Sequence, residues 1–186
     1  MNTTVYFVSA AVLLIAAFVV FRVIVRRDYQ RKGRLTWFSG LLELLIFSLW
    51  AWFAYEYSPS DWPALHVGLT IKIIGWILFA GGFTVTFVAM GWLGMARSFG
   101  WAPDVLKQSL FYGVTRNPQS VAFMLGMIGY LMLWPSWYGL GAVILVAAMV
   151  HVMILTEEEH LLAVHGDEFA RYCERVPRYL ALRRSS

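Results

Sequence analysis

The stretch "QSVAFMLGMIGYLMLWPSWYGLGAVILVAAMVHVMIL", Gln119–Leu155, holds two apolar runs broken only by Pro135 and Ser136. Each run is close to the roughly 17–25 residues that a helix needs to cross a bilayer. With almost no loop between them, the two helices must fold back as a tight antiparallel hairpin. That pairing sets the start of the first run beside the end of the second. Arg116, Asn117 and Pro118 therefore share a membrane depth with "LTEEEHLL", Leu155–Leu162.

Composition agrees with a membrane reading. Of 186 residues, 60% are hydrophobic and 14% are charged, too few charges to cover a water-facing surface. Further apolar runs predict helices over Thr4–Val25, Leu35–Tyr55 and Ala64–Met95. With Gln119–Trp134 and Trp137–Leu155 they make an all-α, polytopic bundle of about five spans in a single domain, 1–186. The N-terminus lacks a positive segment and a small-residue cleavage site, so it reads as a retained helix rather than a leader. A single cysteine, Cys173, excludes an internal disulfide framework, and no Cys/His spacing resembles a metal site.

The basic residues orient the bundle. Of the 15 Lys and Arg, all but Lys72 fall on one side of a five-span arrangement: Arg22–Arg34, Arg97–Arg116 and Arg171–Arg184. The opposite loop, "EYSPSDWPALH", has Glu56 and Asp61 and no Lys or Arg. By the positive-inside rule the N-terminus lies outside and the C-terminus in the cytoplasm. The net charge of +4 then marks a membrane face, and no nucleic-acid partner is expected. The expected location is an inner membrane of a bacterium or archaeon, or the endoplasmic reticulum of a eukaryote. Trp50, Trp52, Trp62, Trp134 and Trp137 form an aromatic belt at the other boundary.

Three helix ends converge on the basic side, bringing Arg97, Arg116, Glu157, Glu158 and His160 around one pocket. Gly91, Gly94 and Gly100 would let a ligand approach the backbone closely. Three glutamates at a helix C-terminus oppose the helix dipole and ask for a cationic partner or ligand.

These residues carry a resemblance. "TRNPQSVAFMLGMIGY", followed about forty residues on by "EEEHLLAVHGDEFARYCERVPRYL", resembles the isoprenylcysteine carboxyl methyltransferase and phospholipid methyltransferase superfamily. Arg116, Asn117 and Pro118 fit its first element. Glu157, Glu158, Leu161, Gly166, Glu168 and Tyr172 fit the second, and Arg175–Arg178 the third. Ser120 stands where the family has tyrosine, His165 where it has phenylalanine, Phe169 where it has tyrosine, and Asn117 where histidine is frequent. The resemblance spans about 90–180 and implies S-adenosylmethionine as cofactor, with a lipid or lipid-like methyl acceptor entering from the bilayer.

It implies roles too. Gly94, Ser98, Arg116, Asn117, Pro118, Glu157, Glu158 and His160 are the expected cofactor residues, with Trp92, Phe99 or Trp101 against the adenosine. A glutamate would pair with the cofactor's ammonium and Arg116 with its carboxylate. Glu158 and Arg175 are the expected catalytic residues, Arg175 for a carboxylate acceptor and Glu158 for an amine. The motif pattern leans toward the carboxylate branch. A non-catalytic subunit that keeps the architecture is the alternative, supported by Ser120 and Phe169; a transporter would show broken, repeated helices.

Other residues have plainer expectations. Glu43 and Lys72, both intramembrane, are expected to pair. His66 and His151 sit at different depths, which argues against haem. Residues 160–175 read as an interfacial helix over the pocket, stopped by Pro177.

Overall fold

A computed structural model describes residues 3–57, 67–93 and 110–180. Six helices fill these segments. α1 runs through Thr3–Lys32 without a break, its Val20–Val25 stretch wound as a π-turn. α2 is Trp37–Glu56, α3 Leu69–Leu93, α4 Pro118–Leu133, α5 Trp137–His165 and α6 Asp167–Arg175. A short 3-10 turn, Leu110–Gly113, precedes α4.

Four of these helices are long and apolar enough to cross a membrane: α1, α2, α3 and α5. The fifth expected span, α4, has 16 residues and reaches only ~24 Å at 1.5 Å per residue. It leans on α3 for its place. A Cβ built on Gly82 of α3 would fall 2.5 Å from the Gly126 nitrogen of α4, and one on Gly129 would strike the Phe79 backbone. Only hydrogen fits there, so the two backbones lie against each other, as small residues allow in membrane helix pairs.

Helix ends depart from the hydropathy boundaries both ways: α2 and α3 begin at Trp37 and Leu69, inside the expected Leu35 and Ala64, while α1 and α5 run on. α1 continues to Lys32 and α5 to His165, seven and ten residues past their apolar runs. Hydropathy marks where the bilayer ends, whereas a helix goes on until its backbone is capped or broken. α1 stops at Gly33, whose φ of 66° supplies the left-handed cap. α5 stops at Gly166, with φ of 49°, and α6 starts immediately after it. α6 is thus shorter than the interfacial helix expected over 160–175.

Caps and long-range hydrogen bonds fix the rest. Thr36 caps α2 by accepting from the Ser39 amide, and the Asp28 carboxylate accepts from both hydroxyls. Ser136 accepts from the Gly139 amide at 2.8 Å, closing the expected α4–α5 hairpin over three residues. α5 is the central helix: Tyr6 of α1 donates to the Tyr138 carbonyl at 2.7 Å, and Trp50 of α2 donates to that of Ala142 at 2.9 Å. Leu13, Ala17 and Phe21 with Val146, Met149 and Ile154 make the core between them.

Candidate functional site

The hairpin does bring Asn117 to Glu158, and the local backbone explains how. Asn117 holds the cap position of α4, with Pro118 as the first helical residue. Its side chain makes no cap bond. Instead Nδ2 reaches across to Glu158 Oε1 at 3.3 Å and to the Arg178 carbonyl at 3.2 Å. The ordinary capping role is given up for a contact with α5.

Glu158 is the centre of the cluster and only 8% exposed. Arg178 donates twice to its Oε2, from Nε at 2.9 Å and from Nη2 at 2.7 Å. Arg116 Nη1 stands 3.6 Å from the same oxygen and also donates to the Cys173 sulfur. The hydrogen bonds that Arg178 donates to Glu158 hold its guanidinium above the ordinary range. Arg116 Nε is buried without a hydrogen-bond partner.

The segment after α6 folds back over this cluster as a strap. The Arg116 amide donates to the Pro177 carbonyl at 3.0 Å, and the Thr115 hydroxyl to that of Arg178 at 3.0 Å. Tyr179 then reaches His151, two turns further along α5, with a hydroxyl–Nδ1 distance of 2.6 Å. Underneath, the Tyr172 hydroxyl donates to the Tyr112 carbonyl at 2.6 Å, and Gln119 donates to the Tyr112 hydroxyl at 3.0 Å. Burial pushes the Tyr172 phenol up to about 12, and raises that of Tyr112 as well.

The three consecutive glutamates each face a different neighbour, as a step of 100° per residue requires. Glu159 binds Arg22 at 2.7 Å and Arg26 at 2.9 Å, tying α1 to α5. Glu158 faces the strap. Glu157, half-buried, lies within electrostatic reach of Glu43 on α2 and of Tyr29. Among the described residues neither Glu43 nor Glu157 has an ion-pair partner.

Some expected positions move. Lys72 does not answer Glu43: it lies one turn inside the start of α3, exposed, while Glu43 lies under two turns from the opposite end of the bundle. The two helices run in opposite directions, so residues near their starts lie toward opposite ends of the bundle and the expected pair does not form. His160 turns toward α1, its ring stacked on Tyr29 at 4.1 Å and 4° with Nε2 buried and unpartnered. Arg175, expected to orient a carboxylate acceptor, is exposed at the end of α6, with Nε donating to the Arg171 carbonyl at 3.3 Å; Arg178 is the tail arginine that holds Glu158. The sequence places five arginines in this tail, and only the path of the backbone after α6 selects Arg178. Trp92 is exposed near the end of α3. Gly94, Arg97, Ser98, Phe99, Gly100 and Trp101 lie outside the described residues. Among the described residues no group of His, Cys, Asp and Glu could hold a metal ion.

A family model described as phospholipid methyltransferase matches residues 66–168, over half the chain. No curated protein matches, and no solved structure does.

Proposed function

The chain belongs to the phospholipid methyltransferase family, a family of membrane methyltransferases, and from that premise we propose the following reaction. The protein transfers a methyl group from S-adenosylmethionine to a lipid-like acceptor that partitions into the bilayer. One observation carries this reading: two carboxylates without ion-pair partners among the described residues, Glu43 and Glu157, lie within electrostatic reach of each other, and Glu157 adjoins the Glu158 of the Arg116–Asn117–Glu158 cluster. Unpaired acids at the membrane boundary are costly and favour a cationic guest.

The residues present fit the cofactor. Arg116 has a buried Nε with a donor to spare, suited to the cofactor's carboxylate. Glu157 suits its ammonium. When bound, the cofactor supplies a methyl already joined to a good leaving group, so alignment of the acceptor is the main demand. Glu158 has Asn117 on one oxygen and two arginines on the other, so both oxygens are engaged. It positions Arg116 and the strap. An amine acceptor reaches the site protonated and must lose that proton before its nitrogen can attack; Glu157 and Glu43 are the carboxylates that would take it. This favours an amine-headed lipid over a carboxylate acceptor, whose expected partner, Arg175, is exposed on α6. With the basic residues toward the cytoplasm, the site opens on that face.

Calorimetry with S-adenosylmethionine in detergent tests the reading. Wild type is expected to bind, and Arg116→Gln or Glu157→Gln to weaken binding at least tenfold. A folded wild type that binds nothing would favour a non-catalytic subunit.

A further inference from the structure

A described cavity lies at the other end of the bundle. It has a volume of about 660 Å³, between α2 and α4, with Ala142 and Val143 of α5 as its floor. Val143 and Glu158 are fifteen residues apart on one helix, so ~22 Å separates this cavity from the cluster. It belongs to no part of the proposed reaction.

Its lining is graded by depth. Glu56, Tyr55 and Trp134 stand at the helix ends, where headgroups lie, and each is exposed. Trp50 and Met127 sit about two turns lower, ~9–10 Å down their helices at 1.5 Å per residue. The rim is therefore polar and aromatic, and the floor apolar. Glu56 is the one charged residue in the lining and has no ion pair among the described residues. A carboxylate beside exposed aromatic rings is a setting that attracts an ammonium group. It repels an anionic headgroup. The volume falls in the ~300–1,000 Å³ range of small-ligand sites, enough for a headgroup and the upper part of a chain.

We propose that this cavity is a second lipid site, in the leaflet opposite the Glu158 cluster, for a phospholipid with an ammonium headgroup. Glu56 and the rim aromatics take the ammonium, and the Trp50–Met127–Val143 floor takes the upper acyl chain. The site needs only the membrane-embedded fold, and stands or falls apart from the methyl-transfer reading.

Native mass spectrometry of the purified full-length protein, with dioleoyl phosphatidylcholine, phosphatidylglycerol and diacylglycerol offered in turn, is the test. Wild type should retain one phosphatidylcholine at least five times more than either other lipid. Glu56→Gln, a surface change, should level that preference. Ala54→Trp, which fills the cavity from α2, should remove the retained lipid while methyl-donor binding persists. Equal retention of all three lipids by wild type would overturn the proposal, as would a preference unchanged in both variants.

Discussion

At the scale of single residues, Glu158 joins three elements that are distant in the chain. It is buried, and removing one partner of a buried ion pair costs ~3–5 kcal/mol. Arg178, with a side chain 35% exposed, is screened by solvent and should count for less. Glu158→Ala is thus expected to lower the thermal midpoint in detergent by clearly more than Arg178→Ala; equal losses would contradict that ranking. Tyr172 gives a pH prediction. Its phenol, ordinarily near 10, is raised to about 12 in the fold. The stability it adds is complete below pH 10 and disappears as pH rises toward 12. Proteolysis at the strap should accelerate across that window in wild type and show a weaker dependence in Tyr172→Phe. Spacing alone put Asn117, Arg116 and Glu158 at one depth. It did not single out Arg178 as the partner of Glu158, because that depends on the path of the backbone after α6.

Among the elements, the α3–α4 pair is the one that the apolar pattern under-described. Hydropathy located both helices, yet α4 is too short to span comfortably and is held by glycine contacts. Gly81 and Gly82 are adjacent and make opposite predictions. Gly81 has open space around its Cβ position, so Gly81→Ala should stabilise by about 0.5–1 kcal/mol through helix propensity. Gly82 meets the backbone of Ala122 and Gly126, so Gly82→Ala should destabilise by ~1–3 kcal/mol. Chemical unfolding of the two variants in one detergent would decide; the same sign for both would refute the close backbone contact. Helix ends were less legible for a reason seen in α1 and α5. Charged residues can extend a helix beyond the bilayer, and the stop comes from glycines at 33 and 166. The π-turn at Val20–Val25 left no sequence signal that the hydropathy pattern carries.

For the whole molecule, the charge pattern and the hairpin together made the architecture legible: an all-helical membrane bundle with its polar cluster at one end. The unlike faces of Glu157, Glu158 and Glu159 were not legible, because neighbours on α1 and α2 decide them. The orientation is testable. In a Cys173→Ser background, a membrane-impermeant thiol reagent added to intact cells should label a cysteine at Thr3 and spare one at Glu174; the reverse pattern would invert the topology. The central claim, that the acidic cluster serves methyl transfer to a bilayer acceptor, is tested most directly by product labelling. Purified protein in nanodiscs containing phosphatidylethanolamine would be given cofactor carrying a radiolabelled methyl group. Label is predicted in the lipid fraction with wild type and at least tenfold less with Glu157→Gln. A folded, cofactor-binding wild type that leaves the lipid unlabelled, or a Glu157→Gln protein that labels it equally fast, would contradict the account.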